Sequence, residues 1–371
     1  MKKKILIDVD SVIPYFTKGC VSGVGRSTLE LIKALNEIGD MPFKVVLYSQ
    51  NIKGIGAKSL KTKFQNLHFY IPRRKPFTNI INYLGLKHLF SQYTLMHIPH
   101  NTDKWEDVRA TIYTIHDLIV YRYPEMWGLT DEERMEHNYI ARHCKAIVTC
   151  SESSRQDIIN FWKCDPSKVT AIPWGVNRHI FSPDLSSIQD IPYLSKDFFF
   201  SSSCNHPRKQ ASLMLKAFKE YMDRGGRNQL VLLGPKESEI IPYNDLIEKK
   251  KLIIIRNISD ATLVRLYSQA KATIVVSLYE GFGLPVLESL ACHTQVICAK
   301  NSSLIEAGGE NVDYLEKLDE ECLTKKMLSY DRKAKEQTLD AEKIEKHLGE
   351  FTWEKCAKKY IDFYTKVLNT M

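Results

Sequence analysis

Residues 272–291, ATIVVSLYEGFGLPVLESLA, restrict the fold more than any other stretch of this chain. Ala272–Ser277 is a short apolar run rich in β-branched side chains, the pattern of a parallel-sheet strand buried on both faces. Val286, Leu287 and Leu290 then follow helical spacing. Between the two, Gly281 and Gly283 permit a tight turn. Pro285 lacks the N–H that the first turn of a helix leaves unpaired. A strand, a glycine turn and a helix make half of a parallel α/β unit, and such sheets bind ligands at the carboxyl ends of their strands. Glu280 and Glu288 flank the turn, and both can reach that crevice. Taken alone, Glu280 also suits a helix N-terminus and Glu288 a solvated helix face.

The same alternation runs along the whole chain. The first half predicts strands at Lys4–Val9, Lys44–Ser49, Leu67–Ile71, Leu95–Ile98, Thr111–His116, Lys145–Cys150 and Val169–Pro173. The second predicts them at Phe198–Ser203, Leu230–Gly234, Leu252–Ile255, Ala272–Ser277 and Gln295–Ala299. Helices fall between, among them Glu152–Trp162 behind a Ser151 cap, Ala211–Met222 and Ala261–Ala270. Strands alternating with helices predict doubly wound parallel sheets with right-handed crossovers. A chain of 371 residues suits two such domains. The expected boundaries are 1–182 and 193–350, with Pro183, Asp184 and the polar Ser186–Pro192 as linker.

No apolar run approaches the ~20 residues of a membrane span. MKKKILIDVD has a basic start, but its apolar run breaks at Asp8, so it reads as a first strand and not a signal peptide. Nine scattered cysteines with no C-x-x-C pair point to reduced structural thiols in a cytoplasmic protein. The net charge of +8 sits in the first half: residues 1–180 carry 25 Lys and Arg against 17 Asp and Glu, residues 181–371 carry 27 against 27. Residues 51–100 hold eight cations and no anion. Anionic lipid or an anionic substrate accounts for that bias better than nucleic acid, since no zinc-finger or RNP-type motif accompanies it.

Three further stretches carry chemistry. SGVGR, with Gly23 and Gly25, lies in a glycine loop that also holds Gly19 and leads into the first helix. TIHDL places His116 and Asp117 where a strand gives way to a loop, although a lone histidine there is often structural. CNHPRKQASLMLKAF puts Arg208 and Lys209 at the start of a helix, where the dipole disfavours cations unless an anion is bound.

Together with Glu280, GFGLP and Glu288, these stretches resemble the retaining glycosyltransferases of family 4, and bacterial mannosyltransferases of surface polysaccharide synthesis within them. The likeness covers nearly the whole chain, with SSSCNH in place of a glycine-rich loop. It implies the GT-B fold, two Rossmann-like domains facing across a cleft, with the helix 353–371 returning to the first. It implies hexose transfer from a nucleotide sugar, GDP-mannose or a UDP-sugar, to a hydroxyl of a glycan or lipid-linked acceptor. Arg208 and Lys209 would hold the diphosphate with backbone N–H groups around Gly25 and Gly283. Glu280 would hold donor-sugar hydroxyls, Glu288 the ribose, and His116 would lie near the donor sugar. Phe282 and Leu284 belong to the same donor-binding turn. No cofactor or metal is expected, on the reading that the chain has no D-x-D motif.

Two rivals share the pattern: a sugar-nucleotide epimerase or phosphorylase of the same fold, and a non-catalytic nucleotide-sugar or membrane-binding module. Arg73, Arg74 and Lys75 beside Phe77, followed by Ile80, Ile81, Leu84, Leu86 and Leu89, read as a surface for an anionic membrane. Such a protein would be peripheral on the inner face of the cytoplasmic membrane.

Overall fold

The structure, a computed structural model, describes residues 2–18, 23–50, 53–68, 92–100, 108–202, 204–331 and 340–371. It divides into two compact units: Met1–Gly175 with Trp353–Met371, and Val176–Thr352.

The first unit is built on seven strands: β1 (Lys4–Asp8), β2 (Lys44–Ser49), β3 (Gln65–His68), β4 (Leu95–Ile98), β5 (Thr111–Thr114), β6 (Ala146–Thr149) and β7 (Val169–Ala171). Their order is β3-β2-β1-β4-β5-β6-β7, and every pairing is parallel. Ile5 pairs with both Val45 and Leu95, so β1 is central, and Ile5, Leu6 and Ile7 are fully buried. Strand order reverses direction between β1 and β4, which makes that point the switch of the sheet. The helix Gly23–Glu37 buries Leu29, Ile32 and Leu35, and the last helix, Trp353–Asn369, packs on it and buries Tyr360, Phe363 and Tyr364.

The second unit carries β8 (Phe198–Ser201), β9 (Gln229–Leu233), β10 (Leu252–Ile255), β11 (Ala272–Val275), β12 (Val296–Cys298) and β13 (Asp313–Tyr314). The order is β10-β9-β8-β11-β12-β13, again wholly parallel, with the switch between β8 and β11. Phe199, Phe218, Tyr221, Leu230 and Ile274 form its core on one side of the sheet.

The structure corrects the sequence reading at several places. Gly23 and Gly25 lie inside the helix Gly23–Glu37 and not in a loop. Neither takes a left-handed backbone conformation, so both continue the helix that follows. Residues expected as loop after β1 form a 3-10 turn, Asp10–Val12, and a short helix, Ile13–Lys18, which Pro14 can enter at its second position without losing a hydrogen bond. The charged stretch 316–350 carries the helices Glu320–Asp331 and Ala341–Leu348. β3 ends at His68, and Arg73, Arg74, Lys75, Phe77 and the apolar positions through Leu89 lie outside the described residues, as does Gly19.

Candidate active site

β8 and β11 are neighbours at the switch of the second sheet, so the loops leaving their carboxyl ends converge. The loop after β8 ends in a 3-10 turn, Pro207–Lys209, and the helix begins only at Ala211, past Gln210 in the left-handed region. Arg208 and Lys209 therefore precede the helix, where sequence had them opening it. The turn is tied to the neighbouring loop by Leu278 N–H, which donates to the Arg208 carbonyl at 2.8 Å.

Glu280 receives both cations. Arg208 Nη1 donates to Oε2 at 2.8 Å, Lys209 Nζ to Oε1 at 2.5 Å, and Ser277 Oγ to Oε1 at 2.7 Å. The glutamate is 5% exposed, and burial pushes its pKa up. Lys209 and Arg208 outweigh that, and the net shift is downward. The side chain stays ionised because its two counter-charges are in place.

The backbone of Glu280 is held as firmly. Its N–H donates to Ser302 Oγ at 3.1 Å, and Ser303 Oγ donates to its carbonyl at 2.8 Å. Asn301 Nδ2 reaches the Ser277 carbonyl at 3.0 Å. Asn301, Ser302 and Ser303 are the members of this site that sequence reasoning passed over. Three consecutive short polar residues after a strand were the available signal.

Gly283 caps the helix Leu284–Ala291 with φ at 105°, a conformation that favours glycine. A Cβ there would stand 3.1 Å from Ala307 Cβ and 3.2 Å from Leu304 Cδ2. Phe282 is buried against Phe351, ring centroids 6.0 Å apart, and Leu284 is half-buried. Glu288, one turn into the helix, is 8% exposed and lies 3.0 Å from the Tyr267 hydroxyl. The hydroxyl is also 2.7 Å from Ser202 Oγ. With the carboxylate accepting, the phenol proton goes to Glu288 and Ser202 donates to the phenol oxygen.

His116 belongs to the first unit. Its Nε2 is 2.9 Å from the Pro99 carbonyl, which can only accept, so Nε2 carries the proton. Nδ1 is buried and has no hydrogen-bond partner. Burial lowers the pKa to about 4 against the opposing Pro99 contact, so the ring is neutral around pH 7. The ring borders a small cavity shared with Ser27, Thr28, Pro99, Thr114 and Trp174. Asp117 Oδ1 accepts the Ile119 N–H at 3.2 Å, a local turn contact. Gly23 is exposed and Gly25 buried in the first turn of their helix.

Two family models match the chain, "Glycosyltransferase Family 4" over residues 21–179 and "Glycosyl transferases group 1" over residues 189–329. The chain belongs to the group 1 and family 4 glycosyltransferases. Among curated relatives of this glycosyltransferase, a probable sucrose-phosphate synthase of Thermosipho melanesiensis is 27% identical over 73% of the chain and 66% of the relative. O-antigen chain mannosyltransferase B of Escherichia coli is 23% identical over 93% of the chain and 96% of the relative. Among solved structures, Anabaena HepE in complex with UDP-glucose matches with a TM-score of 0.72 at 12% identity, over 98% of this chain and 99% of that one. The fold of this glycosyltransferase is GT-B, two parallel-sheet α/β units of seven and six strands.

The glycosyltransferase does contain one D-x-D triplet, Asp8–Val9–Asp10, which corrects the expectation that the chain has none. It closes β1 in the first unit. Among the described residues, no group of three or more His, Cys, Asp or Glu side chains is placed to hold a metal ion.

Proposed function

We propose that the chain transfers a hexose, mannose in first place, from a nucleotide sugar to a hydroxyl of a glycan or lipid-linked acceptor, with retention at the anomeric carbon and without a metal. The observation that carries this reading is the Arg208–Glu280–Lys209 cluster beside the Gly283 turn at the second switch point. Cleaving the bond from sugar to diphosphate leaves negative charge on the departing oxygen. Two cations fixed before the chemistry begins stabilise that charge with no reorganisation at the moment of reaction. Arg208 supplies a planar fork and Lys209 a compact charge, a combination suited to adjacent phosphates.

Glu280 keeps both cations in position until the diphosphate shares them, and its oxygens are then available to donor-sugar hydroxyls. Glu288, oriented by Tyr267, accepts from the ribose. His116 Nδ1, an acceptor without a protein partner, suits a sugar hydroxyl. The mannose preference rests on the O-antigen mannosyltransferase relative, and the nucleotide-sugar class also on the UDP-glucose bound to HepE. An anionic membrane surface remains part of the proposal through residues 51–100. Sedimentation with phosphatidylglycerol vesicles at low salt tests it, and a protein left in the supernatant removes it.

The deciding experiment offers GDP-mannose, UDP-glucose and ADP-glucose in the presence of EDTA. A bound donor raises the melting temperature by mass action. Acceptor-dependent release of the nucleoside diphosphate, with product anomeric configuration read by NMR, completes the test. A chain that binds no nucleotide sugar, or binds one and never turns it over, contradicts the reading.

A further inference from the structure

If the glycine turn before the helix Leu284–Ala291 holds a diphosphate, its N–H groups must be fixed before the ligand arrives. Gly283 at φ 105° is the residue type with the widest backbone freedom, so the turn needs support from outside. That support comes from the end of the helix Ala341–Leu348. His347 Nε2 lies 2.8 Å from the Ala307 carbonyl, which can only accept, so Nε2 carries a proton. The carbonyl belongs to the last turn of the short helix Leu304–Gly308, where C=O groups lack partners within the helix. Ala307 is also the residue packed on Gly283: a Cβ at 283 would stand 3.1 Å from Ala307 Cβ. Gly309, at φ 54°, follows against the imidazole, and a Cβ there would stand 3.0 Å from His347 Cε1.

A second route from the same side chain runs through rings. The His347 and Phe351 centroids are 5.0 Å apart, and Phe351 meets Phe282 edge to face at 6.0 Å. Both separations lie where aromatic pairs attract, and Phe282 is the neighbour of Gly283 in the chain. Phe351 is itself fixed, since its carbonyl accepts the Val176 N–H at 2.9 Å and its N–H donates to the Leu348 carbonyl at 2.9 Å. Two residues before His347, Glu345 accepts both prongs of Arg178 at 2.8 and 3.0 Å. Its Oε1 is also 3.1 Å from His293 Nε2, just past the far end of the helix Leu284–Ala291. The segment from Glu345 to Phe351 therefore braces that helix at its C-terminal end and at the turn that opens it, and His347 reaches the turn by two paths.

We propose that His347 is a positioning residue of the donor site, setting the backbone of the Phe282–Gly283 turn through the Ala307 carbonyl and through Phe351. This rests on the nucleotide-sugar reading and adds to it the group that holds the turn. The sequence has a single Phe–Gly pair, so full-length protein with carbonyl-labelled phenylalanine and nitrogen-labelled glycine gives one amide correlation, that of Gly283. Calorimetry with GDP, UDP and ADP on the same samples measures nucleotide affinity. In His347→Ala the Gly283 signal should shift or broaden without nucleotide, and affinity for whichever nucleotide the wild type binds should fall about fivefold, the scale of lost preorganisation. His347→Gln keeps an N–H donor and His347→Phe keeps a ring, so each should bind more tightly than His347→Ala and less tightly than wild type. A folded His347→Ala with an unchanged Gly283 signal, or with a shifted signal and unchanged affinity, overturns the proposal. Gln and Phe variants that bind no more tightly than His347→Ala overturn it too. Should His347→Ala fail to fold, wild-type affinity in both His347→Gln and His347→Phe has the same consequence. A wild type that binds none of the three nucleotides defeats the nucleotide-sugar reading, and this proposal falls with it. Binding by the wild type with undiminished binding by the variants defeats this proposal alone.

Discussion

Arg208 Nη1 stands 2.8 Å from Glu280 Oε2, and the two residues are 72 positions apart in the chain. The pair exists because β8 and β11 lie side by side at the switch of the second sheet. The same contact changes what the cations do for the fold. Read from sequence, Arg208 and Lys209 contribute nothing to folding. In the structure they neutralise a buried carboxylate, so the side chains proposed to hold the diphosphate also bear on stability.

Lys209→Ala should therefore have two effects. Removing one of two counter-charges from buried Glu280 costs about 1–3 kcal/mol of stability. Transition-state stabilisation should fall by roughly 2–4 kcal/mol, the range of a lost preorganised donor. Denaturant unfolding reads the first and kcat the second. Wild-type turnover in a folded Lys209→Ala would show that the diphosphate binds elsewhere.

Glu280 also sets a pH dependence. Its folded pKa is depressed below the ordinary 4.5, so its contribution to stability is fully present above that value. The contribution is lost as pH falls through the lower folded pKa. Thermal melts of wild type and Glu280→Gln should differ most near neutral pH and converge in acid. A gap that stays constant from pH 7 down to 3 would mean that the carboxylate is not the ionised partner of the two cations.

The glycine turn and the strands other than the two-residue β13 were legible because each depends on local pattern. Ala272–Val275 is a continuous apolar run, and Gly283 announces a backbone that few other residues adopt. The networks were not legible. Tyr267 meets Glu288, and His100 meets Asp8, only because of strand order and helix placement, which no local window records. His97 is an instructive case: fully buried on β4, it hydrogen-bonds Thr114 on β5 and Tyr364 on the last helix, each at 2.7 Å. Nothing in LMHIPH singles it out from His100 or His116.

Tyr267→Phe separates the two glutamates. The substitution keeps the ring and removes the proton donated to Glu288 Oε2. If Glu288 holds the ribose, affinity for the free nucleoside diphosphate should fall several-fold in Tyr267→Phe and further in Glu288→Gln. Glu280→Gln should keep most of that affinity and lose turnover. Calorimetry with GDP and UDP measures all three, and equal losses in Glu280→Gln and Glu288→Gln would dismiss the division of roles.

His116 offers the most direct physical check on a single side chain. Its folded pKa is lowered from 6.5 to about 4, chiefly by burial, while the unfolded chain takes up the same proton near 6.5. Protonation thus favours the unfolded state between those values, and stability contributed by the neutral ring is lost as pH falls through that window. His97, lowered to about 3 by burial and by nearby His100 and His116, adds to the same slope. Among the imidazole NMR signals, the one missing in His116→Gln should titrate near pH 4 and show the Nε2–H tautomer at neutral pH. Transfer activity should decline below about pH 5 as Nδ1, the acceptor offered to a hydroxyl, becomes a donor. A midpoint near 6.5 would mean that the ring is solvated and the Pro99 contact does not fix its proton. The Nδ1–H tautomer would leave no lone pair at that atom, and a hydroxyl-accepting role for His116 would fall with it.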